Sequence, residues 1–169
     1  IEDMIFEDNV SKGDGYGGGL AIFESKFAQV TDSIFRDNEV VLNSGGAIAV
    51  VNAADHAELT GNTVVNNVAG MDGGGIFVYV SDRPTLTDNT IKGNESSRGE
   101  GIGDGGTLMS VRDAVLSGNE FSDNESYIGG GFGAYDVNGL EMSGDVFDGD
   151  EGQFGGGVMI YIGEDLSLS

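Results

Sequence analysis

The chain has 169 residues, with 31 Gly and 29 Asp or Glu against only 7 Lys or Arg, and its formal net charge is −22. Like charges repel, so this balance excludes nucleic-acid binding, and without an apolar run of about 18 residues the segment is not expected to insert into a membrane. The absence of Cys excludes disulfides and thiolate metal sites. A Gly-rich chain with 38% hydrophobic residues favours short strands joined by tight turns.

The first recurring element is a short apolar segment that ends in Asn or Asp, first seen at residues 5–9 (IFEDN). Its apolar anchors are Phe6, Phe35, Val64, Ile91, Phe121 and Phe147. Its polar ends are Asn9, Asn38, Asn67, Asn94, Asn124 and Asp150. The anchors recur every 26–30 residues, which predicts one structural unit per repeat. We expect the polar ends to stack as a ladder, with side-chain amides hydrogen-bonded between neighbouring units.

Two further blocks complete each repeat. The second begins with paired glycines and is found at 17–23, 45–51, 73–79, 105–111, 129–135 and 155–161. The third precedes the next anchor and is found at 29–33, 58–62, 85–89, 115–119 and 141–145, with a new start at 167–169. Three short strands per repeat, six repeats and no helical periodicity predict an all-β fold, a β-solenoid of about six coils.

The repeats also predict the core and the extent of the domain. Alternate residues of each strand face inward, so Leu20 and Ile22 begin one set of stacked aliphatic columns and Val30 begins another. We expect residues 1–169 to form a single β-helix domain. Because one coil cannot bury its inner face alone, and the chain starts and ends in the same phase of the repeat, we expect a section of a longer solenoid.

The pairing of FxxN with GGA[ILV] resembles the repeat of the chlamydial polymorphic outer-membrane proteins. Phe6–Asn9, Phe35–Asn38 and Phe121–Asn124 match the first motif, and Gly45–Ile48 matches the second. The remaining repeats depart from these motifs, with Val64 or Ile91 for Phe, Asp150 for Asn, and Gly or Thr for the Ala, and the strong acidity is unlike a chlamydial member. The resemblance covers essentially the whole chain. It implies a right-handed parallel β-helix in a secreted or cell-surface, adhesin-like protein of the autotransporter kind.

The outward side of the second strand carries an apolar row. If Leu20 and Ile22 point inward, the next residues of the strand point outward, and in each repeat one of these outward residues is apolar. Phe77 is a further apolar residue beside this row. The row itself is Phe23, Val51, Tyr79, Val111, Tyr135 and Tyr161. An apolar patch rimmed by acid is typical of a partner surface, and Tyr rings also stack on sugars. The alternative is that these side chains simply pack from coil to coil.

Acidic residues in the corner loops are candidates for a metal site. They are Asp14, Asp72, Glu100, Asp104, Glu125 and Glu151. Calcium takes about six to eight oxygen ligands, several of which stacked carboxylates supply, whereas the alternative is solvated surface charge. Segment 99–106 (GEGIGDGG) resembles one copy of a calcium-binding nonapeptide repeat, a motif that works as a tandem array. We expect no other cofactor.

The function predicted from these features is structural. Parallel β-helices also include polysaccharide lyases and hydrolases, but the 7 Lys and Arg do not cluster in the repeat and the net charge would repel polyuronates. A single Thr and Ser column beginning at Thr31 is too narrow for ice binding. We therefore expect a non-enzymatic extracellular or cell-surface β-helix, adhesin-like or self-assembling head to tail or laterally. Its expected partners are further copies, or a host or cell-surface protein or glycan. A polysaccharide-binding or polysaccharide-cleaving β-helix is the alternative.

Overall fold

The protein, represented by a computed structural model, is described over residues 1–53, 55–96 and 101–169. Within these ranges the chain forms strands and turns and no helix. Strands pair in parallel with the equivalent strands one coil away, and three sheets result. The predicted all-β solenoid of about six coils is confirmed.

The first sheet contains the anchor segments, and its strands begin coils 1 to 6. They are Ile5–Glu7, Ile34–Arg36, Thr63–Val65, Thr90–Lys92, Glu120–Ser122 and Val146–Asp148. The register aligns the predicted anchors directly, from Phe6 opposite Phe35 to Phe121 opposite Phe147. These two pairs of rings stack at centroid distances of 4.7 and 4.9 Å. The spacing of the repeat therefore fixes the register between coils.

The largest sheet contains the second and third strands of the coils. The second strands are Leu20–Phe23, Ile48–Val51, Ile76–Tyr79 and Val158–Glu164. The third strands are Phe27–Thr31, His56–Thr60, Thr85–Thr87 and Ser167–Leu168. In coils 4 and 5 one long strand runs through both positions, Gly106–Ser117 and Phe132–Ser143. Each of these long strands includes two residues with positive φ, Ser110 and Asp113 in coil 4 and Asp136 and Gly139 in coil 5.

The structure adds a short fourth strand to each coil, which the three-strand prediction lacks. These strands are Val10–Ser11, Glu39–Val40, Val68–Ala69, Glu95–Ser96, Glu125–Ile128 and Glu151–Phe154. The residue before the ladder position turns the chain with a positive φ, as at Asp37 (φ 55°). The ladder residue then presents its carbonyl to the next coil, and Asn38 O accepts from Val68 N at 2.9 Å. The two residues that follow can therefore pair in parallel.

The core lies between the sheets as stacked apolar columns. Val30, Leu59, Leu86 and Leu116 are all 0 or 1% exposed and form the column predicted inside the third strand. Ile48, Val50, Ile76 and Val78 are fully buried inside the second strand. Leu20, Ile22, Val158 and Ile160 in the outermost coils pack against the same cluster and are partly buried. The predicted inward alternation is thus present in both strands.

One corner after the second strand is turned by a single residue with positive φ in every coil. The six residues are Glu24, Asn52, Val80, Ser110, Asp136 and Ile162, with φ between 51° and 57°. Asn and Asp tolerate this left-handed conformation, whereas a β-branched side chain is strained in it. Val80 is therefore held in an unfavourable conformation by the pairing of the strands on either side.

Candidate partner-binding surface and buried polar columns

The outward side of the second strand carries one continuous column of side chains, which we call the outer column. In register it consists of Phe23, Val51, Tyr79, Met109, Tyr135 and Tyr161. The prediction of Val111 in this column is wrong, because Val111 pairs with Val137 and is 1% exposed. Positive-φ Gly103 in coil 4 aligns with Gly73, so the glycine pair at 105–106 lies two residues further along the coil than predicted.

The outer column is not exposed along its whole length. Phe23 and Tyr161 at its two ends are 50% and 54% exposed, but Val51 is 5% exposed. Phe77, in the neighbouring outward column, is only 3% exposed. The ring of Tyr16 covers this part, with centroid distances of 5.9 Å to Phe23 and 5.8 Å to Phe77. Val51 and Phe77 are therefore packing residues, as the coil-packing alternative has it.

A small pocket remains open over the outer column in coils 4 to 6, and we call it the Tyr pocket. It has a volume of about 150 Å³ and is lined by Ile102, Ile128, Ala134, Tyr135, Met159 and Tyr161. The rings of Tyr135 and Tyr161 stack at a centroid distance of 5.4 Å with an interplanar angle of 18°. The lining is almost entirely apolar, so the pocket suits an apolar or aromatic group.

The residues that decide whether the outer column is covered precede the first glycine of each corner. Main-chain hydrogen bonds align them as Tyr16, Ser44, Asp72, Ile102, Ile128 and Phe154. Tyr16 reaches across to Phe77 two coils away, whereas Ile102 and Ile128 border the Tyr pocket without closing it. The role of this position was not predicted from the sequence, although it directly precedes a glycine of positive φ in all six coils.

The predicted ladder residues form one continuous hydrogen-bonded column. Each side-chain amide nitrogen donates to the Oδ1 of the next coil, at 2.8 Å from Asn9 to Asn38 and 3.0 Å from Asn67 to Asn94. The last of these bonds runs from Asn124 to Asp150 at 2.8 Å. The same nitrogens also bond main-chain carbonyls, as Asn67 does with Phe35 O at 3.0 Å. Each Asn thus acts as donor and acceptor within the column.

A second ladder of the same kind follows the third strand. It consists of Ser33, Asn62, Asn89, Asn119 and Asp145. The amide of Asn62 donates to Asn89 at 3.0 Å, and that of Asn119 donates to Asp145 at 2.7 Å. This ladder was not predicted from the sequence. The signal was present, because these residues recur with the same spacing as Asn67, Asn94, Asn124 and Asp150.

Both ladders have an aspartate in coil 6. Asp145 and Asp150 accept from the Asn below through Oδ1, which places Oδ2 where an Asn has its amide nitrogen. A carboxylate cannot donate there, and both Oδ2 atoms are buried without a hydrogen-bond partner among the described residues. Burial raises the pKa of Asp150 above its ordinary value of 3.8, against the lowering effect of the hydrogen bonds from Asn124.

The corner-loop acids have very different environments. Asp14, Glu125 and Glu151 are exposed, while Asp72 is half-buried and Asp104 is 0% exposed. Glu100, and with it residues 99 and 100 of the predicted calcium-type segment, lies outside the described residues. Burial raises the pKa of Asp104 to about 7, and the negative charge of nearby Asp72 adds to the effect. Of the five corner-loop acids that the structure describes, only Asp72 and Asp104 are therefore buried or half-buried.

These features define a class, the parallel β-solenoids with buried amide ladders and a partly covered outer face. Within it, the chain belongs to the family described as periplasmic copper-binding protein (NosD), which matches residues 2–127. No curated protein and no solved structure matches the chain significantly. The family match supports the parallel β-helix part of the sequence resemblance, and it does not show a relation to the chlamydial repeats. A family described as periplasmic also agrees with a location outside the cytoplasm.

The copper in the family's description can be tested against the residues present. Copper sites use thiolate, thioether and imidazole ligands. The chain has no Cys, and its single His, His56, stacks on Phe27 at a centroid distance of 5.5 Å. The strand methionines do not pair with one another, since Met109, Met142 and Met159 lie opposite Tyr135, Leu116 and Gly133. Over the described ranges, no group of three or more His, Cys, Asp or Glu is placed to hold a metal ion. The residues described do not fit a copper site.

The described ranges contain no helix that is long and apolar enough to span a membrane.

Proposed function

We propose that the chain is a non-enzymatic structural or adhesin-like β-helix that acts at the cell surface or in the extracellular space. The Tyr pocket on the outer face is the contact site for its partner. The observation that carries this proposal is the stacked pair of half-buried Tyr135 and exposed Tyr161 in an almost wholly apolar pocket. The FxxN and GGA[ILV] resemblance to adhesin-like surface proteins supports the same role.

The chemistry of the pocket favours contact with a macromolecule. Tyr supplies a large, rigid apolar surface with a polar tip, and it is enriched in protein interfaces. The exposed acids Asp136 and Glu164 follow Tyr135 and Tyr161 by one and three residues, on a chain with a net charge of −22. Two copies of such a chain repel each other, and salt screens the repulsion. Lateral self-association should therefore strengthen with ionic strength, whereas binding of a cationic partner should weaken.

The test is light scattering after size exclusion across a salt series, with the double variant Tyr135→Ser/Tyr161→Ser. Self-association that grows with salt in the wild type and is lost in the double variant supports the lateral contact. Tyr127→Ser is the matched control, because Tyr127 is 39% exposed and does not line the Tyr pocket. Association that persists unchanged in the double variant would contradict the proposed surface.

A glycan is the second candidate partner, because exposed Tyr rings stack on sugar faces. The same double variant applied to a panel of neutral and acidic oligosaccharides separates this alternative from protein contact. Binding without product release, lost in the double variant but kept in Tyr127→Ser, would favour a glycan-binding β-helix. Release of shortened products would contradict the non-enzymatic proposal directly.

A further inference from the structure

Asp104 occupies a position where the other coils have glycine. Main-chain hydrogen bonds align it with Gly18, Gly46, Gly74, Gly130 and Gly156. Side chains do not fit in those coils: a Cβ on Gly74 would lie 2.6 Å from Glu95 N, and one on Gly130 would collide with the carbonyl of Glu151. Coil 4 therefore has a local arrangement that admits a carboxylate where the fold elsewhere requires no side chain.

The column beside Asp104 changes character in the same coils. On the inner side of the fourth strand, coils 2 and 3 carry apolar Val40 and Ala69, whereas coils 4 and 5 carry Ser96 and Ser126. The hydroxyl of Ser126 donates to Gly101 O at 2.7 Å. Coil 1 also has a serine in this column, Ser11, but its glycine column has no acid there. In coils 4 and 5 an acid and two hydroxyl groups come together, which makes a local oxygen-rich site.

Two oxygen atoms in this place have no partner. The Oδ2 of Asp104 accepts from Ser96 N at 2.6 Å, but its Oδ1 is buried with no hydrogen-bond partner among the described residues. The hydroxyl of Ser96, a residue only 5% exposed, also has no hydrogen bond of good geometry among the described residues. The hydroxyls of Ser96 and Ser126 are nevertheless close enough to Asp104 to lower its pKa against the effect of burial. A second carboxylate lies nearby, since Asp72 accepts from Ile102 N at 3.0 Å and its charge acts on Asp104. A buried carboxylate next to another is costly unless a positive charge compensates it.

We propose that Asp104, Ser96 and Asp72 form the core of a binding site for a calcium-type divalent cation. All the atoms on offer are oxygens, which hard cations prefer and copper or zinc do not. Mg²⁺ keeps several of its waters and suits a fully buried carboxylate poorly, whereas Ca²⁺ accepts a flexible set of carboxylate, hydroxyl and carbonyl oxygens. Two carboxylates supply the charge, so a cluster of three acidic side chains is not required.

The test is thermal unfolding at pH 8 in chelator, Ca²⁺ or Mg²⁺ at equal ionic strength. Ca²⁺ at about 100 times its dissociation constant should raise the melting temperature of the wild type by roughly 5–10 °C. Asp104→Asn should fold and lose this rise, and Asp104→Gly, which restores the residue of the other coils, serves if the Asn variant does not fold. Asp136→Asn removes one exposed charge and should keep the rise. Calorimetric titration should give one Ca²⁺ per chain.

Four outcomes would overturn the site. An equal rise in wild type and Asp104→Asn would assign the effect to the acidic surface, as would an equal rise with Mg²⁺. A wild type that does not respond to Ca²⁺ would exclude the site directly. A response that develops only in Arg98→Ala would show that this arginine, which lies outside the described residues, balances Asp104 instead of a cation.

Discussion

Replacing Asp150 with Asn should stabilise the protein. The Oδ2 of Asp150 takes the place of an amide nitrogen at the end of the first ladder and has no partner among the described residues. An amide there would donate to a main-chain carbonyl of coil 5, as Asn124 does to Ile91 O at 3.1 Å in the coil below. The gained hydrogen bond and the relieved buried acceptor together contribute about 1–2 kcal/mol. That corresponds to a rise of roughly 2–8 °C in melting temperature.

The effect should depend on pH in a defined direction. The pKa of Asp150 is raised by burial, so the folded state holds its proton more tightly than the unfolded state does. The stability that comes from this tighter proton binding is fully present below the ordinary pKa of 3.8, and it is lost as the pH rises through the raised pKa of the folded state. The advantage of Asp150→Asn over wild type should therefore be small in acid and largest at neutral pH.

The assay is chemical denaturation of wild type and Asp150→Asn from pH 3 to pH 7, with Asp148→Asn as the control. Asp148 is exposed two residues away, so its replacement makes the same change in net charge without touching the ladder. Equal stabilisation by the two substitutions would attribute the effect to net charge and refute the ladder argument. A gain in Asp150→Asn that does not vary with pH would refute the role of the buried Oδ2.

Four further substitutions test the polar columns, the corners and the outer face by thermal or chemical denaturation. Asn67→Ala removes bonds to two neighbouring coils from a fully buried position and should cost about 2–4 kcal/mol; an unchanged melting temperature would contradict the ladder. Val80→Asn, matching Asn52 in the same corner, should gain about 1 kcal/mol by relieving a positive φ. Val111→Ser should lower the free energy of unfolding by about 2–3 kcal/mol, because Val111 is buried, whereas Tyr161→Ser should lower it by less than about 1 kcal/mol. The reverse order would mean that Val111 lies in the outward row after all.

The fold could be predicted from the sequence because, in a solenoid, residues at equivalent positions of successive repeats pair with one another in neighbouring strands. Phe6, Phe35 and Val64 are 29 residues apart in sequence, and the structure places them opposite one another in neighbouring strands. The inward columns follow from the same alternation. The fourth strand could not be predicted in this way, because only two residues pair in most coils, too few to show alternation.

The outer face was harder to predict for two physical reasons. Asp104 interrupts the glycine run of coil 4. The glycine pair at 105–106 was therefore aligned with the corner glycines of the other coils, two residues too far along the chain, and this placed Val111 at the position that Met109 occupies. Coverage of the outer column depends on Tyr16, whose ring contacts Phe77 two coils away. A repeat pattern specifies which residues are equivalent, but it carries no information on how far a loop side chain reaches across them.

Aspartate has opposite consequences at two kinds of buried position in this solenoid. An Asn in a column satisfies itself, because it accepts from one neighbour and donates to the next, whereas an Asp can only accept. Asp150 lacks a hydrogen-bond donor, which an Asn side chain would supply, so Asp150→Asn should stabilise the protein whether or not Ca²⁺ is added. At Asp104 the proposed compensation is a cation, so Asp104→Asn should stabilise in chelator, by removing an uncompensated buried charge, and destabilise relative to wild type in saturating Ca²⁺. Only a bound cation at Asp104 predicts that change of sign, since a carboxylate balanced by a proton or by a protein side chain would respond alike in both conditions.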